Sequence, residues 1–218
     1  MNKKLKFIIP VSLALVIGII VIGYANCKSN TEQLVQETYI FKADYPVYDE
    51  DSIVKESDVI ITGKVVKVKE CMEYQRKIEL DESLSEDEKK KILEEMNVKP
   101  LIFTVSEIEV DQVIKGEFKK GQIIKIKQLG GTLNNMKVIG EEEIYKEGSH
   151  KVFFLKDFRA EFGENMPFST LNPIQGDIDI INGKIKNNEK VKNDKHLKIV
   201  EDGVPVETFV KNIKKKVK

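Results

Sequence analysis

The chain has 218 residues, with 36 basic and 36 acidic side chains and therefore no net charge. Only Arg76 and Arg159 are arginines, and there is no tryptophan. A polyanion-binding domain would be basic and rich in bidentate arginine forks, so nucleic acid is set aside as a partner.

Lys3, Lys4 and Lys6 open the chain, and Phe7–Ala25 follows without a charge. At ~1.5 Å rise per residue this run approaches the ~30 Å hydrocarbon thickness of a bilayer. Lysines before it and a long polar segment after it predict residues 1–6 in the cytoplasm and a transmembrane helix or signal segment over 7–25. A juxtamembrane linker and arm over 26–50 and an extracytoplasmic domain over 51–218 complete the layout. Three fates fit the leader: retention as a signal anchor, cleavage after Ala25, or lipid attachment at Cys27. Each places the body of the chain outside the membrane. The lipid bilayer is thus an expected partner through residues 7–25, and the expected location is the cell membrane, single-pass, with the C-terminal domain outside.

Thr38–Tyr48 carries Tyr39, Phe41, Tyr45 and Tyr48 around Pro46 and reads as an extended arm. Asp51–Ser57 has the pattern of one or two helical turns. Asp58–Lys69, DVIITGKVVKVK, is the first strand. Gly63 within it marks a bend or a close backbone approach, and Cys71–Leu80 extends it as a ribbon. Asp81–Lys99 changes period. Ser85 and Glu88 match a capping box, Ile92, Leu93 and Met96 form a narrow apolar stripe, Asn97 suits a helix end, and Pro100 forbids continuation. One charged helix is therefore expected between two strands.

Leu101–Gly131 is a long hairpin whose reversal is bracketed by Gly116 and Gly121. Leu101, Phe103 and Val105 share one face, while Ile108, Val110 and Ile114 have the opposite parity. This predicts a β-bulge or sharp coil near Ser106–Glu107 that bends the strand around a small barrel, with burial on both faces as the alternative. The returning arm turns Ile124 and Ile126 inward and Lys125 and Lys127 outward.

Thr132–Gly148 reads as a loop holding Asn134-Asn135 and the acidic run Glu141–Glu143. Val152–Leu155 is a compact buried strand, and Phe158–Pro173 is an aromatic loop. Ile174–Ile181 and Lys184–Lys186 form a hairpin over Asn182-Gly183, a type I′ signal. Asn187–His196 reads as a polar loop. Pro205 opens a last helix with Val206, Phe209, Val210, Ile213 and Val217 on one face and lysines crowding its end. That face docks on the barrel or, with its lysines, on an anionic membrane surface.

Four segments together carry a resemblance: SDVIITGKVVKV (57–68), FTVSEIEVDQVIKGEFKKGQIIKIKQLGG (103–131), HKVFFLK (150–156) and IQGDIDIINGKI (174–185). They resemble a recurrent extracytoplasmic β module of Gram-positive bacteria, similar to OB-type barrels, the architecture also used by tissue metalloprotease inhibitors. The resemblance covers about residues 55–186. It implies a fold and transfers no functional residues.

The chemistry-bearing residues are sparse. His150 and His196 make no metal spacing with each other or with cysteine. Glu86–Glu88 and Glu141–Glu143 are contiguous, unlike spaced calcium ligands. No metal and no cofactor is expected. Cys27 and Cys71 are able to pair in an oxidising compartment. Ser149 lacks a nucleophile elbow, and Gly130-Gly131 lacks the Lys-Ser/Thr of a phosphate loop. Asp177 and Asp179 alternate on a strand and present two carboxylates on one face, as glycosidases require.

The expected fold is mainly β: a small OB-like barrel of five or six curved strands with one inserted helix and a C-terminal amphipathic helix, preceded by an N-terminal transmembrane helix. The expected function is a non-enzymatic, membrane-anchored binding module of the cell envelope, whose partner is an envelope protein or small ligand. Candidate contact loops at strand ends are Gly130, Gly131, Asn134 and Asn135, and Phe158, Phe162 and Phe168. The alternatives are an envelope hydrolase built on Asp177, Asp179 and Glu141–Glu143, and a protease-inhibitor-like domain by architectural analogy.

Overall fold

The computed structural model describes residues 37–42, 44–74, 80–81, 83–96 and 101–217. The leader helix expected over 7–25, and Cys27, lie outside them. Among the described residues no helix is long and apolar enough to cross a membrane.

The early elements are β1 (Glu37–Ile40), α1 (Glu50–Glu56), β2 (Val59–Tyr74), α2 (Glu86–Met96), β3 (Leu101–Lys115) and β4 (Ile123–Leu129). A short hairpin follows, β5 (Gly131–Leu133) and β6 (Met136–Ile139), then β7 (His150–Lys156), α3 (Arg159–Phe162) and β8 (Phe168–Thr170). The chain ends with β9 (Asp177–Ile181), β10 (Lys184–Lys186), α4 (Glu189–Asn193) and α5 (Val206–Val217).

Five of these strands close a barrel. β2 lies antiparallel between β3 and β7, and β3 pairs antiparallel with β4. β4 takes β8 in parallel, and β8 returns antiparallel to β7. The protein is therefore mainly β, with a small closed five-stranded barrel compatible with an OB-like fold. β9 also pairs with β7, over Lys151–Phe153, ahead of the two residues that β8 uses. The edge divides at Phe154, whose N–H donates to the Gly176 carbonyl at 2.8 Å and whose carbonyl accepts from Leu171 N–H at 2.9 Å.

Period-two alternation builds two cores from one wall. Val59, Ile61, Ile108, Ile124, Ile126, Phe153, Leu155 and Phe168 fill the barrel. Ile60, Val152 and Phe154 point the other way and meet Ile53 and Val54 of α1, Ile178 and Ile180 of β9, and Phe209, Val210 and Ile213 of α5. The apolar face of α5 thus docks on the barrel wall. Val152–Leu155 is fully buried because it serves both cores.

The parity switch expected at Ser106–Glu107 is real but misplaced. β3 and β4 pair without interruption from Phe103 to Glu109. The even residues Ile102, Thr104, Ser106, Ile108 and Val110 keep one buried face, which leaves Phe103 and Val105 on the outer one. The flip comes where Thr62 and Gly63 of β2 face Gln112 and Val110, with Asp111 the extra residue. Beyond it Val113 turns to the barrel interior and Ile114 to the outer core. A further shift opposite Glu107–Ile108 places its extra residue, Val66, in β2. Gly63 is required at the flip, because a Cβ there would lie 2.7 Å from Ile108 Cγ2 and 2.8 Å from the Glu109 carbonyl oxygen.

Three strands, β5, β6 and β8, were not legible in the sequence, and β1 reads there only as an extended arm. The stretch read as a loop from Thr132 contains β5 and β6, joined by Asn134 and Asn135 with φ of 50° and 63°, a type I′ turn. β6 then takes β1 in parallel, so part of the arm is a strand. β8 lies within the expected aromatic loop and is the strand that closes the ring. The expected hairpin over Asn182-Gly183 is present, with both residues at positive φ. The region after Asn187 is more ordered than a polar loop. Asn188 caps α4 by accepting from Val191 N–H, and Asn187, almost fully buried, donates to the Val200 carbonyl and to Asp202. The α2 start forms as expected, whereas the helix expected over Asp51–Ser57 begins one residue earlier, at Glu50, with Asp49 as its cap. Asp49 and Ser52 make a reciprocal capping box for α1, and Ser85 and Glu88 do so for α2.

Candidate functional site

Phe103 and Val105 face away from the barrel interior, and the surface they belong to is the site. Register places Met72 and Tyr74 of β2 beside Phe103 and Leu101 of β3, and Lys127 of β4 beside Val105. The outer face of β2–β3–β4 therefore alternates rings, aliphatic groups and lysines. The 157–167 segment leans over it. Phe162 meets Tyr74 edge-to-face at 5.5 Å between centroids and Phe158 at 6.0 Å. Lys127 Nζ sits 4.5 Å from the Phe103 ring centroid and 5.7 Å from that of Phe158. Burial against these rings lowers the Lys127 pKa. Among the described residues no carboxylate pairs with it.

Next to this patch runs a groove of about 480 Å³ between Lys67, Lys69 and Lys125, floored by Met72, Val105 and Pro167. Glu107 answers these lysines. It pairs with Lys69, and its pKa is lowered by that hydrogen bond and by the charges of Lys69, Lys67 and Lys125. Among the described residues Glu107 pairs with Lys69, while Lys67, Lys125 and Lys127 form no ion pair, so this part of the face is positive.

The overhanging segment is held from below. Asp157 N–H donates to Asp58 Oδ2 at 2.9 Å, and Lys156 Nζ reaches Asp58 Oδ1 at 3.1 Å. Asp157 is forked by Arg159, with Nε at 2.9 Å and Nη2 at 2.5 Å, which lowers the Asp157 pKa. The Arg159 guanidinium lies 4.7 Å from the Phe168 ring centroid. These contacts fix where Phe158 and Phe162 stand.

The seven expected contact residues separate into four places. Phe158 and Phe162 are on this face, and Phe162 is 45 % exposed. Phe168 is a wall of the barrel interior, edge-to-face with Phe118 at 5.7 Å. Gly130 and Gly131 join β4 to β5. A Cβ at Gly131 would lie 2.2 Å from Cys71 Sγ and 2.8 Å from Thr104 Oγ1, so this position serves close backbone packing. Asn134 and Asn135 form the turn of the β5–β6 hairpin. Tyr74, Phe103 and Lys127, which sequence reasoning had not selected, complete the patch. Their signal was the apolar residues of β3 that did not fit the core parity.

The residues of the hydrolase alternative also come together. Glu141, Glu142, Glu143, Asp177 and Asp179 line one cavity. Lys151 on β7 bridges the two aspartates, at 2.6 Å to Asp177 Oδ1 and 2.8 Å to Asp179 Oδ1. Tyr145 OH donates to Asp177 Oδ2 at 3.0 Å. His150 Nε2 lies 2.6 Å from Asp111, His196 is exposed, and Cys71 carries a free thiol. Among the described residues no group of three His, Cys, Asp or Glu is placed to hold a metal ion.

No family model matches the chain, and no curated protein matches it in sequence.

Proposed function

We propose that this chain is a non-enzymatic binding module of the cell envelope, delivered outside the membrane by its apolar leader, and that the outer β2–β3–β4 face takes an acidic glycan. The observation that supports this is the Lys127 ammonium, half-buried between Phe103 and Phe158 and, among the described residues, without a carboxylate partner. A ligand carboxylate or phosphate would supply that partner, and the rings of Tyr74, Phe158 and Phe162 offer flat apolar surfaces for sugar faces. In small barrels of this kind the second and third strands, with the loops joining the first to second and fourth to fifth, form the usual contact surface. Those strands are β3 and β4 here, and the 157–167 segment is the second of those loops.

A carboxylate hydrolase is the weaker reading. Both oxygens of Asp177 are engaged, by Lys151 and by Tyr145, which leaves that group poorly placed to act as nucleophile or base.

Affinity electrophoresis of the full chain in polygalacturonate, with dextran as the neutral polymer, tests the proposal. Retardation by the uronate alone, falling with salt and weakened about tenfold or more by Lys127→Ala or Phe158→Ala, is expected. Equal retardation by dextran, unchanged affinity in both variants, or tighter binding of single-stranded DNA would overturn it.

A further inference from the structure

The cavity under the Glu141–Glu143 loop has a chemistry that the outer face does not explain. It measures about 340 Å³ and is lined by six carboxyl side chains and three lysines, so its walls favour positive charge. Period two on β9 puts Asp177 and Asp179 on one side, and register sets Lys151 across from Asp179. The opposing loop is pinned by Gln128, a nearly fully buried β4 residue. Tyr145 N–H donates to Gln128 Oε1 at 2.8 Å, and Gln128 Nε2 donates to the Glu143 carbonyl at 3.0 Å. These two bonds hold Glu141 and Glu142 at the cavity.

Lys151 is committed to the aspartates. Burial works against its charge, but Asp177 and Asp179 outweigh it and raise its pKa. Lys190 donates to the backbone carbonyl of Glu141 rather than to a carboxylate. Oε2 of Glu141 and Oε2 of Glu142 are both shut off from solvent and have no hydrogen-bond partner within reach among the described residues, although Gln128 lies near enough to Glu142 to favour its charged form. Buried acceptors left without donors are costly, and such atoms call for a ligand, an ion or water. The missing donor must suit two carboxylates without displacing three lysines. A bare divalent ion lacks a converging donor set among the described residues. An ammonium fits, because its N–H groups diverge toward separate oxygens, as Lys151 already does between Asp177 and Asp179.

We propose that this cavity binds the ammonium group of a small aliphatic amine, received by Oε2 of Glu141 and Oε2 of Glu142. The site is independent of the outer β2–β3–β4 face. A proton signature follows. Burial first, then the charge of Asp177, raises Glu142 to about 8, against the pull of Gln128, Lys151 and Lys190. Glu142 is therefore neutral in the empty cavity at neutral pH, and an arriving ammonium ionises it. Its proton leaves to solvent as the amine binds.

Isothermal titration of the full chain with n-butylammonium tests the inference, with 1-butanol as the uncharged isostere and calcium as the metal arm. Saturable binding of the amine alone is expected, with a heat that changes with buffer ionisation enthalpy because a proton is released. Glu142→Gln is expected to weaken binding about tenfold or more and to abolish the proton release. Glu142→Asp, the fallback if the glutamine variant does not fold, should weaken binding and keep the release. Glu109→Gln, on the exposed wall, should bind as wild type does. No saturable heat in the millimolar range, equal binding of butanol, calcium binding in place of the amine, or unaltered amine affinity in both Glu142 variants would each overturn the proposal.

Discussion

Replacing Glu142 with glutamine should stabilise the protein at alkaline pH and leave it unchanged in acid. The carboxyl rises from 4.5 to about 8 on folding. Between those values it is protonated in the fold and ionised in the unfolded chain, so the folded state binds more protons. Stability from this group is complete below about 4.5 and is lost as pH climbs to about 8. At ~1.4 kcal/mol per pH unit the ceiling is about 5 kcal/mol. Part of the side chain remains at the surface, which reduces the expected loss to about 2–3 kcal/mol. Glutamine imitates the neutral acid and removes the effect. Denaturant unfolding of both chains across that window, followed by far-UV circular dichroism because there is no tryptophan, gives the difference directly. The variant should match wild type in acid and exceed it by about 2–3 kcal/mol once the window is passed. Two curves that stay parallel throughout would refute the reasoning.

Three further outcomes follow from packing. Gly63→Ala forces a methyl into Ile108 and the Glu109 carbonyl, and should cost about 2–3 kcal/mol in a thermal melt. Gln128→Ala strands the Tyr145 N–H and the Glu143 carbonyl; about 2–3 kcal/mol should be lost, with faster amide exchange over 141–145. Phe209→Ala empties a buried position between α5 and the wall and should cost about 3–5 kcal/mol. Lys214→Ala on the same helix should stay within about 0.5 kcal/mol. If both changes cost alike, the docking described for α5 is wrong.

How far the fold could be read from the sequence depended on how locally each signal was encoded. The Asn182-Gly183 hairpin, the Ser85–Glu88 capping box and the Val152–Leu155 strand rest on neighbouring residues, and each is found where expected. The position of the β3 flip was not local. Leu101, Phe103 and Val105 are apolar and read as core, yet they lie on the face away from the barrel interior, with Val105 buried there and the other two half-exposed, and the flip waits for Gly63 on the neighbouring strand. The misreading and the candidate site share one cause, apolar side chains that the core does not use. β8 was missed because three residues carry no period, and its partners lie about forty residues back on β4 and a dozen back on β7. Asn134-Asn135 lacks the glycine that announces a turn, so its hairpin passed for a loop. The acidic cavity was half visible: Asp177, Asp179 and Glu141–Glu143 were named, but only the closed ring brings them to Lys151.

Closure itself rests on little. β8 contributes two registered residues to β4 and two to β7, whereas β2 and β3 are zipped along most of their lengths. This short seam is where the molecule should breathe, parting before the long ribbon does. The segment bearing Phe158 and Phe162 leads directly into it. A ligand clasped by those rings would hold the seam shut, so occupancy outside and tightness inside should rise and fall together.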